Sequence, residues 1–169
     1  MPEVRLSRLA ARLGERMQLQ GLRLATAESC TGGAIAAVIT DVPGSSAWFD
    51  RGFVTYSNDS KHDLLHVPKD MLEKWGAVSE AVVAAMTAGT LARSPGVDLS
   101  VAVSGIAGPG GGTPEKPVGT VCLAWQRRGQ PPRVVTVHLP GDRDAVRAAT
   151  TALALEGLIR LLEDPDGDK

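Results

Sequence analysis

Three short segments carry residues that can do chemistry together. They are Glu28-Ser29-Cys30-Thr31-Gly32-Gly33, Tyr56-Ser57-Asn58-Asp59-Ser60-Lys61, and the glycine-rich stretch from Ser104 to Gly119. Ser29 stands where an apolar run, LRLATAE, gives way to a Gly-Gly step and then to AIAAVIT. A strand-to-helix turn of that kind can project a hydroxyl into a cleft, with backbone N–H groups beside it for a developing oxyanion. An ordinary N-cap serine has the same local sequence, so Ser29 alone does not decide between cap and nucleophile. A nucleophilic serine needs a base. Lys61 lies just past the second strand-like run and can serve if burial or a nearby cation lowers its pKa from about 10.4 towards 7–8. A solvated helix lysine is the other reading.

Further residues surround this pair. Tyr56, the one tyrosine, can stack on a ring or relay a proton, or be a half-buried strand aromatic. Ser104 can bind substrate or orient the lysine, or cap a turn. The loop from Gly105 to Gly119 has the composition of a close-approach backbone loop. It matches neither GxxxxGK[ST] nor GxGxxG, because Thr113 stands in place of the third glycine. Arg143 and Arg147, one turn apart after Asp142, can hold a phosphate or form a solvated surface pair. His62-Asp63-Leu64-Leu65-His66 has the histidine spacing of a zinc helix, but Asp63 replaces the glutamate and no third ligand is evident, so no metal is expected. Cys30 is expected to be buried and inert, aimed away from its neighbour by strand alternation.

Helix and strand alternate around these segments. Leu6, Leu9, Leu13 and Met17 put an apolar face on a helix over Pro2–Gln20 that stops at Gly21. Strands are expected at 22–28, 49–57 and 97–104, and a hairpin from 118–126 and 133–139. Helices are expected at 34–40, 60–65, from Pro68 to Gly76, from Ser79 to about Arg93, and after Asp142. The last should bury Val146, Ala149, Leu153 and Leu162 on one side, and the tail EDPDGDK should fray. DVPGSS is turn chemistry. The result is an α/β sandwich on a mixed sheet. If the second and third strands flank the first, the three chemical segments meet at a switch-point crevice.

Composition bounds the function. The 169 residues fit one domain spanning 1–169. With 43% hydrophobic but only 4% aromatic residues, the core must be mostly Ala, Val, Leu and Ile. A net charge of -1 gives no electrostatic case for nucleic acid. Two widely separated cysteines, and an N-terminus without the unbroken apolar run of a signal or span, lead us to expect a cytoplasmic chain with no membrane partner.

Laid side by side, these motifs resemble the carboxy-terminal domain of the CinA family, the nicotinamide-nucleotide amidase fold. The resemblance runs from about Leu6 to Leu162 through LATAESCTGG, TDVPGSS, YSNDSKHDLL, GAVSE, AVSGIAGPGGGTPEKPVGTV and GDR. It implies a three-layer α/β/α sandwich on a five-stranded mixed sheet, order 2-1-3-4-5, with strand 4 antiparallel. It also implies hydrolysis of nicotinamide mononucleotide to nicotinic acid mononucleotide and ammonia by a serine–lysine pair, which by motif are Ser29 and Lys61. The family's VTGIAGP reads VSGIAGP here, so Ser104 keeps the hydroxyl and loses a methyl. Many relatives carry an additional amino-terminal nucleotide-processing domain, for which 169 residues leave no room.

The expected mechanism has neutral Lys61 take the Ser29 proton while backbone N–H groups around Thr31, Gly32 and Gly33, or Ser104 and Gly105, hold the oxyanion. Tyr56 supports the ring or the lysine, and Arg143 contacts the phosphate. No cofactor is required, the partner is a small nucleotide, and a homodimer is expected from base rates. The rival readings are a catalytically silent nucleotide-binding or protein-interaction module tied to competence or DNA damage, and a serine hydrolase of another amide.

Overall fold

A computed structural model describes residues 1–167 of the chain. Six helices and five strands follow in the order α1 (Pro2–Gln20), β1 (Leu24–Glu28), α2 (Ala34–Thr40), β2 (Phe49–Val54), α3 (Asn58–Leu65), α4 (Lys69–Trp75), α5 (Glu80–Arg93), β3 (Leu99–Gly105), β4 (Thr120–Arg127), β5 (Arg133–His138) and α6 (Arg143–Glu163). A short 3₁₀ turn at Ser45–Ala47 overlaps the end of the expected turn region 41–46. The strand order is β2-β1-β3-β4-β5. β1 runs parallel to β2 and β3, while β4 is antiparallel to both β3 and β5. This is the mixed five-stranded sheet the resemblance implied.

The sheet is covered on both faces. On one, Leu13, Met17, Ile35, Val101, Leu123 and Leu158 belong to a core shared by α1, α2, α6 and the sheet. On the other, Ala27, Leu65, Val82, Val83, Met86 and Ala102 join α3, α4 and α5 to the sheet. The central strands β1 and β3 are therefore buried almost throughout, and both read as apolar runs rather than alternations. Burying one Leu or Met side chain contributes about 1.5–3 kcal/mol, so both layers are held mainly by these aliphatic contacts. No helix among the described residues is long and apolar enough to cross a membrane.

Several boundaries differ from the sequence reading. β2 stops at Val54, so Tyr56 stands beyond the strand, and α3 begins at Asn58 rather than Ser60. The reason is Ser57, whose Oγ caps α3 by accepting from Ser60 N–H at 3.0 Å. α6 starts as expected, with Asp142 Oδ1 accepting from Ala145 N–H at 2.9 Å. Its buried face is broader than expected and centres on Val146, Thr150, Ala154, Leu158 and Leu161; Ala149 and Leu153 are half-buried at its edge. The expectation of a frayed tail falls partly on Asp168 and Lys169, which lie outside the described residues. Glu163 is still helical, and Arg133 donates to the Asp164 carbonyl.

Candidate active site

Glu28 ends β1 and Ser29 follows it, and the chain must then reverse into α2. It does so through Gly32 (φ 61°) and Gly33 (φ 106°), left-handed conformations that a side chain would strain. Ser29 N–H donates to the Val103 carbonyl of β3 at 3.1 Å, so the serine continues the central strand. On the other side of β1, Thr55 N–H donates to the Glu28 carbonyl at 2.8 Å. These bonds aim the ends of β1 and β2 at one crevice.

α3 delivers Lys61 to that crevice. Its Nζ donates to Ser29 Oγ at 2.9 Å, to the Thr55 carbonyl at 2.9 Å and to the Tyr56 carbonyl at 3.2 Å. Ser29 Oγ has a second, longer contact, donating to the Tyr56 carbonyl at 3.4 Å. Lys61 is 1% exposed, and among the described residues no carboxylate forms an ion pair with it. Burial pushes its pKa down to about 8, with a small opposing pull from Cys30. The amine is thus held by three uncharged acceptors in a place that disfavours its charge.

The pair opens into a cavity of about 260 Å³. Cys30, Tyr56, Asn58, Ala77, Gly105, Ile106, Ala107, Gly108 and Arg143 also line it, and no carboxylate does. Gly105 is a close-approach position: a Cβ there would stand 2.6 Å from Val121 Cγ2 and 3.2 Å from Cys30 Sγ. Arg143 spans the mouth, donating through Nη1 to the Gly108 carbonyl at 2.8 Å and through Nη2 to Tyr56 Oη at 3.2 Å. Tyr56 is 62% exposed, a rim residue and not a strand aromatic. Cys30 is buried, and burial pushes its thiol up to about 11, so it is protonated and a poor nucleophile at neutral pH.

Not every residue singled out in the sequence reaches the cavity. Thr31, Gly32 and Gly33 do not line it. The Thr31 hydroxyl donates to Glu28 Oε1 at 2.5 Å, Gly32 N–H to the Ser29 carbonyl at 3.1 Å, and Gly33 N–H to Glu28 Oε1 at 3.2 Å. Ser104 is buried in β3 opposite Cys122, also off the cavity. Arg147 points to the back of the serine turn, where Nε and Nη2 donate to the Cys30 and Thr31 carbonyls, both at 3.1 Å. His62 is engaged through Nδ1 with the Val67 carbonyl at 2.9 Å, and His66 ends α3 in a left-handed conformation. Among the described residues no three His, Cys, Asp or Glu side chains gather as a metal site.

Sequence reasoning gave no role to Asn58, Ala77 or Glu28. Asn58 had a signal, since it precedes Lys61 by three residues on one helix and so shares its face. Ala77 had none. Glu28, at the end of an apolar strand, gave no sign of the helix N-terminus it faces.

A family model described as the CinA C-terminal domain matches residues 6–162. The chain belongs to the CinA C-terminal domain family. Two relatives within this CinA group are named "Nicotinamide-nucleotide amidohydrolase PncC". The one from Enterobacter agglomerans is 51% identical over 162 residues, covering 95% of this chain and 97% of that protein. The one from Escherichia coli strain K12 is 48% identical over 158 residues, covering 94% and 95%. A "CinA-like protein" from Akkermansia muciniphila is 57% identical over 140 residues, which is 83% of this chain but only 34% of that longer protein. Among solved structures, the "competence/damage inducible protein CihA" from Agrobacterium tumefaciens superposes with a TM-score of 0.90 at 46% identity, covering 93% of this chain and 95% of that one.

Proposed function

We propose that this CinA domain is a serine amidohydrolase that converts nicotinamide mononucleotide to nicotinic acid mononucleotide and ammonia. The observation that carries the proposal is the 2.9 Å contact between Lys61 Nζ and Ser29 Oγ, made by an amine that is 1% exposed and has no carboxylate partner. The name shared by full-length relatives at about half identity supplies the substrate class.

The mechanism follows from the hydrogen bonds of the amine. A protonated lysine has three N–H donors, one for each of its three acceptors. On losing one proton it keeps two N–H groups, which the Thr55 and Tyr56 carbonyls hold. The lone pair then faces Ser29, and the serine hydroxyl becomes the donor. Two main-chain carbonyls thus orient the base without a carboxylate that would raise its pKa.

Neutral Lys61 takes the Ser29 proton as Oγ attacks the carboxamide carbon. The oxyanion is held by backbone N–H groups at the serine turn. The Cys30 N–H, first after the nucleophile, has no main-chain acceptor among the described residues and belongs to a cavity-lining residue. Gly32 and Gly33 do not fill this role, because their N–H groups are already bonded. The C–N bond then breaks, and ammonia leaves with the proton Lys61 had taken. Water, deprotonated by the same amine, hydrolyses the ester on Ser29.

The cavity's charge fits a phosphate-bearing ligand. Arg143 is the permanent positive charge among its lining residues, and no Asp or Glu lines it. Arg143 can exchange the Gly108 carbonyl or Tyr56 hydroxyl for a phosphate oxygen. The test is ammonia release from a panel of amides with and without the phosphate. We expect turnover of the mononucleotide, and slower turnover by about tenfold or more without the phosphate. Equal rates for phosphate-free amides, or no ammonia from the mononucleotide, would overturn the substrate assignment.

A further inference from the structure

We propose that Glu28 and Arg147 are a pair of positioning residues that clamp the Ser29 turn from opposite sides, and that Arg147 is not a phosphate contact. The inference rests on Ser29 being the residue that is acylated. The amides of Gly33, Ile35 and Ala36 meet the Glu28 carboxylate, and the carbonyls of Cys30 and Thr31 meet the Arg147 guanidinium.

Glu28 gathers the amide side. It is 1% exposed, and its carboxylate accepts from the Thr31 hydroxyl at 2.5 Å and from the N–H groups of Gly33, Ile35 and Ala36 at 3.2, 2.9 and 3.1 Å. Gly33, the N-cap of α2, has no side chain to cap with, so a carboxylate five residues earlier does the capping. Because Glu28 is also the residue before Ser29, the same bonds fix the serine against α2.

Arg147 gathers the carbonyl side. Its Nε and Nη2 donate to two successive carbonyls, Cys30 and Thr31, and a Cβ on Gly32 would stand 3.5 Å from its Nη2. A guanidinium suits this task because its donors lie in a fixed fork, which a lysine lacks. Among the described residues it makes no ion pair. Arg143, one turn earlier on α6, lines the cavity and Arg147 does not. Two arginines that look equivalent in sequence therefore have different work: one faces the ligand, the other holds the peptide units beside the nucleophile.

The account predicts a specific kinetic signature, because a clamp acts on the serine and not on the phosphate. Two readouts separate these. One is kcat and KM for the mononucleotide. The other is the rate at which Ser29 reacts with a phosphate-free sulfonyl fluoride, in which the Oγ–S bond forms, fluoride leaves, and Lys61 takes the serine proton. Arg147→Gln and Glu28→Gln should each lower kcat by up to about 10²-fold, the scale of an ångström's misplacement. The reagent rate should fall with kcat, and KM should stay within about twofold. Arg143→Gln should instead raise KM about tenfold or more. If Arg147→Gln does not fold, Arg147→Lys, which keeps the charge and loses the fork, must show the same paired fall in kcat and reagent rate. A raised KM with an unchanged reagent rate would make Arg147 a phosphate contact and overturn the proposal. Lower thermal stability with unchanged kcat and reagent rate per folded molecule would overturn it too, leaving a packing role. Retention of ammonia release by Ser29→Ala would remove the underlying mechanism, a failure distinct from either of these.

Discussion

Gly89 in α5 lies directly against the end of α3: a Cβ on it would stand 2.0 Å from the carbonyl oxygen of Leu65. Leu65 is the last residue of the helix that carries Lys61. The closeness of these two helices therefore sets how far Lys61 reaches into the crevice.

Gly89→Ala cannot be accommodated without pushing α3 outward, because the opposing atom is backbone. We expect a loss of stability of about 1–3 kcal/mol, the usual cost of overpacking. Because the shift moves Lys61 away from Ser29, kcat should fall even among folded molecules. Denaturant melts and active-site titration check the two effects separately.

The depressed pKa of Lys61 fixes a pH dependence of activity. With the amine titrating at about 8, the neutral base is a minority form below that pH. The value of kcat/KM should rise about tenfold per pH unit at lower pH and level off above about 8. A profile flat between pH 6 and 9 would contradict lysine as the base.

The same shift makes a stability prediction of defined sign. The folded pKa lies below the ordinary value of 10.5, so the unfolded chain binds the extra proton between about 8 and 10.5. Lys61 therefore weakens the fold at neutral pH, and the deficit disappears as pH rises through that window. Relative to Lys61→Met, which lacks the titrating group, the wild-type chain should gain up to about 3 kcal/mol across it, at roughly 1.4 kcal/mol per pH unit. Urea melts of both proteins at pH 7.5 and 10.5 measure the difference.

Much of the fold was legible because periodicity and caps agreed. Leu6, Leu9, Leu13 and Met17 mark α1, and Ser79 and Asp142 cap their helices as read, accepting from Val82 N–H and Ala145 N–H. The reach of β2 was misjudged because Phe53, Val54 and Tyr56 look like one strand, while the Ser57 cap that ends it is a tertiary-independent but short signal. Ser29 and Lys61, 32 positions apart, were legible as types in context and their meeting from the strand order and the family resemblance; the two main-chain carbonyls that also hold the amine were not. Where the amides of Gly32 and Gly33 are bonded was not legible. The Gly33 amide goes to Glu28 and the Gly32 amide to the Ser29 carbonyl, and a glutamate inside LATAE carries no mark of facing a helix N-terminus. Gly89 was illegible for a similar reason: a glycine inside a helical pattern looks only like a weak propensity, and the helix that presses on it lies 24 residues back at Leu65.

The most direct measurement compares ammonia release from nicotinamide mononucleotide by purified wild-type, Ser29→Ala and Lys61→Met proteins at pH 8.5, each shown folded by circular dichroism. The hydroxyl–amine mechanism predicts that each substitution lowers kcat by about 10³-fold or more, and that the double variant is scarcely worse than either single one, as for residues acting as a unit. Turnover by folded Ser29→Ala within tenfold of wild type would contradict it.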